Sequence, residues 1–131
     1  MGALRTLLIL VSFALPAQAG TLPLAPQPGE EQVYQFATCV GRFSALMEHQ
    51  WMVDGPGSEA TAKLVASMGS LVQAITPEDQ GRRVLAWRID AKAAQRALLM
   101  QADFGTTPAQ KAKAKARSET LIGSCRSLLL G

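Results

Sequence analysis

The sequence has few of the side chains on which enzymes and metal sites usually depend. Its 131 residues include one histidine and two cysteines. It contains no Cys-x-x-Cys pair, no Cys-x-x-Cys-His haem site, no Glu-x-x-His pattern and no glycine-rich phosphate loop. Any serine or cysteine hydrolase mechanism would depend on His49 alone as its base. These absences predict a protein that is not an enzyme and that carries no resident cofactor.

Long apolar runs and glycosylation signals are also scarce. The one extended apolar run covers residues 6–15, which is too short to anchor a protein in a bilayer. It follows Arg5 and precedes the small-residue pattern Ala17-Gln18-Ala19, in the order of a secretory signal peptide. No Asn-x-Ser/Thr acceptor occurs. We therefore expect cleavage after Ala19 and a periplasmic or secreted bacterial protein without a membrane span.

Export bears directly on the two cysteines, Cys39 and Cys125. An oxidising compartment favours a structural disulfide between them over two free thiols. A bridge that closes so long a loop is expected to stabilise the fold by about 4 to 5 kcal/mol on the chain-entropy model. Because small domains are stable by only about 5 to 15 kcal/mol, that contribution is large.

The chain that remains after cleavage is long enough for one domain. Residues 1–19 are the predicted signal peptide, and the proline-rich residues 20–29 are typical of an extended, flexible leader. Residues 30–131 show apolar side chains every three or four positions, which indicates helices. Helix-breaking residues divide this single domain into four segments at Asp54-Gly55-Pro56-Gly57, Thr76-Pro77 and Gly105.

Capping signals predict where the later helices begin. Ser58 is the expected cap of the second helix, and Thr76, followed by Pro77, is the expected cap of the third. Thr107 precedes Gln110 at the spacing of a capping box, so a fourth helix is expected there. Four helices joined by short loops predict an all-α, up-down-up-down four-helix bundle with one disulfide between the first and last helices.

The apolar spacing predicts one buried stripe on each helix. Trp51 and Trp87 are expected within these stripes, and the alternative is that they line a pocket for a small ligand. The predicted core comprises Val33, Phe36, Val40, Phe43, Met47 and Trp51 in the first helix, Leu64, Val65, Met68, Leu71, Val72 and Ile75 in the second, Leu85, Ile89, Ala93, Ala97 and Met100 in the third, and Leu121, Ile122, Cys125, Leu128 and Leu129 in the fourth.

Charge is divided unevenly along the chain. Residues 20–81 hold seven acids and two bases, whereas residues 82–131 hold ten bases and three acids. The second half therefore predicts a basic surface that docks an acidic envelope protein or another anionic surface, unless these side chains serve only solubility. Nucleic acid is not expected as a partner, because aromatic residues are not interleaved with the lysine and arginine residues. The candidate residues are Arg88, Lys92, Arg96, Lys111, Lys113, Lys115 and Arg117.

Met47, His49 and Met52 form a candidate site for a soft metal. Thioether and imidazole groups suit Cu(I), which an exported protein can encounter. On a helix, however, Met47 and Met52 point about 140° apart, which favours core and surface roles instead. A small-ligand or soft-metal carrier and a periplasmic stress chaperone are therefore the alternatives to a non-enzymatic interaction module.

Overall fold

The chain folds into four α-helices. The structure is a computed structural model that describes residues 25–130. The helices are α1 (Glu31–Val53), α2 (Gly55–Ile75), α3 (Gly81–Phe104) and α4 (Pro108–Leu130), with a short 3₁₀ turn (Glu78–Gln80) before α3. This part of the chain contains no β-strand, so the all-α prediction is confirmed. The predicted signal peptide and the first residues of the predicted leader lie outside the described residues.

A tight turn leads into α1. Gly29 has a φ of 92°, in the left-handed region that favours glycine. The next residue, Glu30, accepts a hydrogen bond from the Gln27 backbone N–H at 2.7 Å and pairs with Arg83 at 3.3 Å. Arg83 also donates to the carbonyl oxygen of Ala25 at 2.9 Å. The residues just before α1 are thereby held against the start of α3.

A single residue, Asp54, separates α1 from α2. Its side chain accepts a hydrogen bond from the Gly57 backbone N–H at 3.1 Å and caps α2. Pro56 lies in the first turn, where a backbone N–H would have no acceptor within the helix, so the proline costs no hydrogen bond. The prediction that Ser58 caps this helix is wrong, because Ser58 is buried within the helix and its hydroxyl donates to the Gly55 carbonyl at 2.6 Å.

The junction between α2 and α3 also differs from the prediction. The Thr76 hydroxyl donates to the Val72 carbonyl at 2.6 Å, and therefore closes the last turn of α2. Pro77 then adopts extended backbone with a ψ of 148°, and the 3₁₀ turn leads to Gly81. The prediction that Thr76 caps α3, with Pro77 as its first residue, is wrong because both residues precede the 3₁₀ turn.

Two predictions about the last helix are confirmed. The Thr107 hydroxyl oxygen accepts a hydrogen bond from the Gln110 backbone N–H at 3.2 Å, and α4 begins at Pro108. Cys39 of α1 and Cys125 of α4 form a disulfide with their Cα atoms 5.4 Å apart. The bridge joins the first helix to the last, near the N-terminal end of one and the C-terminal end of the other.

The helix directions alternate along the chain, and α1 occupies the centre. Tyr34 lies against Trp87 near the starts of α1 and α3, with ring centroids 5.3 Å apart. His49 meets Asp103 near the ends of the same two helices, so α1 and α3 are parallel. Helices α2 and α4 run the opposite way. Helix α1 contacts all three others and α3 also contacts α4, whereas α2 packs chiefly on α1.

Helices α1 and α3 lie very close together at Gly41. A Cβ atom at this position would overlap the carbonyl oxygen of Arg88 and lie 2.9 Å from the backbone nitrogen of Lys92. It would also lie 3.1 Å from the Ala91 side chain. The missing side chain therefore lets the two helix backbones touch, and the small Ala91 keeps the facing surface shallow.

The core lies between the four helices and encloses the disulfide. Its buried members are Val33, Ala37, Cys39, Val40 and Phe43 of α1, Met68 and Val72 of α2, Val84 and Trp87 of α3, and Ile122 and Cys125 of α4. The predicted stripes of α1, α2 and α4 contribute to this core, although two of their predicted members, Leu71 and Leu128, are exposed. Burial of these apolar side chains supplies most of the driving force for folding.

The predicted stripe of α3 and the predicted position of Trp51 are wrong. Leu85 and Ile89 are exposed, whereas Val84 and Trp87 are buried. Both faces of α3 carry large apolar side chains at helical spacing, so the periodicity alone could not select the buried face. Trp51 is 63% exposed, and the two residues that follow it, Met52 and Val53, are exposed as well. The last turn of α1 therefore lies outside the core.

Candidate functional site

A run of exposed apolar side chains follows one face of α3. Leu85 is 52% exposed and Ile89 is 56% exposed, and Met100 lies on the same side of the helix. Between Ile89 and Met100, the small side chains of Ala93 and Ala97 leave a shallow groove of about 420 Å³. A contiguous exposed apolar face bordered by polar residues is typical of an interaction surface.

Two of the predicted partner-binding cations, Lys92 and Arg96, line this groove. The Lys92 ammonium pairs with Glu48 of α1 at 2.5 Å, whereas Arg96 forms no ion pair with any described residue. Arg88 is half-buried and lines a neighbouring groove beside the end of α2. We use the name α3 face for the surface formed by Leu85, Ile89, Lys92, Ala93, Arg96 and Met100.

The predicted cations of α4 have different surroundings. The Lys111 ammonium donates to the Asp103 carbonyl at 2.9 Å, which satisfies a backbone acceptor at the end of α3. Lys115 approaches Glu119 of the same helix to 4.0 Å. Lys113 and Arg117 are exposed. Half of this set therefore already has a partner within the protein.

His49 has a carboxylate partner that the sequence did not indicate. Its imidazole Nε2 lies 2.6 Å from Asp103 Oδ2, and the imidazole is buried while the carboxylate is partly exposed. A groove of about 210 Å³ adjoins this pair. No serine, threonine or cysteine is among the described residues that line it, so the pair has no hydroxyl or thiol nucleophile in this groove. The pair joins the ends of α1 and α3.

The predicted soft-metal ligands are only partly brought together. His49 and Met52 line the same groove, together with Met100, which the sequence had not suggested as a ligand. Met47 is not among the residues lining that groove. Within residues 25–130, no group of three or more histidine, cysteine, aspartate or glutamate side chains could hold a metal ion. We assign no metal site to these residues.

Arg42 is a residue of functional interest that the sequence analysis missed. It is one of two bases in residues 20–81, and it stands between the buried positions Val40 and Phe43. That isolated base among apolar stripe positions was an available signal. The structure places it half-buried on α1, where its guanidinium donates to the sulfur of Cys125 at 3.7 Å.

Comparison with known protein families, with curated proteins and with solved structures finds no match for this chain. Among the described helices, none combines the length and apolarity needed to cross a bilayer. The Cys39–Cys125 disulfide is compatible with an exported protein, because such bonds persist in oxidising compartments. The functional argument therefore rests on the surfaces of the fold itself.

Proposed function

We propose that the protein is an exported, non-enzymatic interaction module that binds an acidic helical segment of an envelope protein through the α3 face. The observation that carries this proposal is the coincidence of exposed apolar side chains and cations in one groove. Ile89 and Met100 offer apolar contact, and Arg96 offers a charge with no ion-pair partner among the described residues. Apolar contact supplies affinity, while complementary charge supplies orientation and a faster encounter.

The shape of the groove favours a helical partner. Ile89 and Met100 are separated by about 16 Å along the axis of α3, which is about three turns of a partner helix. Ala93 and Ala97 between them allow close approach. Arg96 lies between Ile89 and Met100 along the helix, so an acidic residue on the partner helix would meet this cation, whereas Lys92, one turn earlier, is already paired with Glu48.

An anionic membrane is a less suitable partner for the α3 face. Stable binding to a lipid surface usually requires a wide apolar face bordered by several lysines and arginines. Here the groove contains two cations, and Lys92 is already paired with Glu48. The opposite side of α3 is buried in the core, so this helix cannot sink further into a bilayer without unfolding.

The proposed surface is narrower than the full set of basic residues. Lys111 and Lys115 already bond within the protein. Lys113 and Arg117 contribute to the positive field that attracts an acidic partner over longer distances. Direct binding is therefore assigned to α3, and long-range attraction to α4.

The test places a photoactivated cross-linking residue at position 89 of the α3 face or, as the matched control, at position 113 of α4. Irradiation is performed in intact cells. We expect one protein to be cross-linked from position 89 and not from position 113. Once purified, that protein should contain an acidic helix and should bind more weakly as salt is added.

Substitutions in the α3 face separate this proposal from unspecific attraction. Arg96→Glu and Ile89→Glu should each weaken binding of the purified partner by about tenfold or more, whereas Lys113→Glu should change it much less. A partner whose affinity is unchanged by both α3 variants contradicts the proposal. Binding to phosphatidylglycerol vesicles that is lost in the same variants would identify a membrane as the partner instead.

A further inference from the structure

Arg42 is a half-buried cation with no acidic partner among the described residues. Its guanidinium donates to the Cys125 sulfur at 3.7 Å, and it takes part in none of the ion pairs found in residues 25–130. Burial is the main cause that lowers the pKa of Arg42, the nearby Arg117 lowers it further, and Tyr34 raises it. Because a partly desolvated cation without a counter-ion attracts negative charge, this arrangement favours binding of an anion.

Two grooves meet at Arg42. The first has a volume of about 430 Å³ and continues along Trp87, Ala91 and Ala94 of α3. The second has a volume of about 350 Å³ and continues between α1 and α4 along Ser124, Ser127 and Leu128. Tyr34, Thr38 and Arg42 line both grooves. Each volume lies within the range of about 300 to 1,000 Å³ that is usual for small-molecule sites.

We propose that Arg42 binds the carboxylate of a small organic acid whose apolar body lies in the groove along α3. The planar guanidinium presents paired N–H donors that match the two oxygens of a carboxylate. Trp87, Ala91 and Ala94 provide an apolar wall beside that cation. Charge and shape are thus complementary to a carboxylate attached to an aromatic or aliphatic group.

Asp90 narrows the class of ligand. It lines the same groove, although its carboxylate forms no ion pair with Arg42. Asp90 repels any anion in this groove, and it repels a ligand with two negative charges, such as a dicarboxylate or phosphate, more strongly than a ligand with one. The site therefore suits a single carboxylate. This inference is independent of the proposed function, because the groove lies between α1 and α3, beside the residues that precede α1, and includes no residue of the α3 face.

The experiment titrates the oxidised mature protein, residues 20–131, with phenylacetate and follows backbone and indole N–H signals by NMR. Phenylacetamide, which has the same shape without the charge, is the matched neutral probe, and inorganic phosphate is the matched anion without an apolar body. We expect phenylacetate to shift signals of Trp87, Ala91 and Ala94 and to bind about tenfold or more tightly than either control.

Three variants locate the site. Arg42→Gln should abolish the preference for phenylacetate over phenylacetamide. Ala94→Leu should weaken phenylacetate binding with Arg42 intact, because it fills the groove from an exposed helix position that tolerates a larger side chain. Arg126→Gln removes an exposed arginine of α4 that lines neither groove, and it should leave binding unchanged.

Several results would overturn the inference. These are an absence of saturable binding by phenylacetate, equal binding of phenylacetate and phenylacetamide, and equal loss of binding in Arg42→Gln and Arg126→Gln. Phosphate that binds as tightly as phenylacetate would overturn the assigned ligand class. If Arg42→Gln fails to fold, Ala94→Leu decides: unchanged phenylacetate affinity in that variant contradicts the proposed position of the apolar body.

Discussion

Gly41 of α1 lies so close to the carbonyl oxygen of Arg88 in α3 that no side-chain carbon fits between them. Glycine is needed here for space and not for backbone freedom, because Gly29 is the glycine with positive φ in the described chain. The two parallel helices meet again near their ends, where the His49 imidazole contacts the Asp103 carboxylate.

Gly41→Ala should destabilise the protein. Forcing α1 and α3 apart costs about 1 to 3 kcal/mol, which outweighs the gain of up to about 1 kcal/mol in helix propensity. Gly69→Ala on α2 is the matched control, because a Cβ there meets nothing within 4 Å. It should stabilise the protein by up to about 1 kcal/mol. Urea denaturation measures both values, and equal stabilisation by the two variants would contradict the close helix contact.

Loss of the disulfide should remove a large part of the stability. In the Cys39→Ser, Cys125→Ser double variant, the free energy of unfolding should fall by about 4 to 5 kcal/mol on the chain-entropy model. The helix content of the folded variant should stay near that of the wild type. Circular dichroism in urea measures both quantities. Wild-type protein treated with reductant is the control and should approach the variant. Coincident transitions for the oxidised wild type and the double variant would rule out this contribution.

The two tryptophans should respond differently to solvent. Trp51 is 63% exposed and Trp87 is 2% exposed. The Trp87→Phe variant retains only Trp51, and the Trp51→Phe variant retains only Trp87. Fluorescence of Trp51 should peak at longer wavelength and be quenched by acrylamide more strongly than fluorescence of Trp87. Trp51→Ala should change stability by less than about 0.5 kcal/mol, whereas Trp87→Ala should cost about 3 to 5 kcal/mol. Equal quenching in the two single-tryptophan variants would contradict the structure.

A buried hydrogen bond links α3 to α4 and has a specific mutational signature. Gln95 donates to the Ser118 hydroxyl at 2.7 Å, and the Gln95 carbonyl oxygen has no partner among the described residues. Ser118→Ala should cost about 1 to 3 kcal/mol, because it leaves a buried donor unpaired. Adding Gln95→Leu should recover much of that loss. Calorimetric unfolding of the two single variants and of the double variant tests this prediction. Losses in the free energy of unfolding that simply add in the double variant would contradict it.

Helix positions were predictable wherever one local signal dominated. Thr107 is followed at once by Pro108 and three residues later by Gln110, and its helix begins where expected. Before α2, both Asp54 and Ser58 are good capping residues, and the sequence does not distinguish between them. The structure uses Asp54, so Gly55 and Pro56 become part of the helix. Local chemistry thus determined that a helix begins there, but not at which residue.

The exposed face of α3 was not predictable because it depends on the other helices. Leu85 and Val84 are adjacent apolar residues, and only packing against the other helices decides that Val84 is buried. The candidate cations could be named from charge alone. Charge alone could not show which of these cations is already paired, because Lys92 contacts Glu48, a residue 44 positions away in the sequence.

The bond between Cys39 and Cys125 closes a covalent ring that contains all of α2 and α3. Among residues 25–130, those before Cys39 and those after Cys125 lie outside the ring. A protease that cuts once within the ring, at the exposed Asp54 or Thr106, leaves both fragments attached to each other. The fragments then remain at high effective concentration and can reassociate as one molecule. A nicked chain of this kind separates only after its disulfide is reduced.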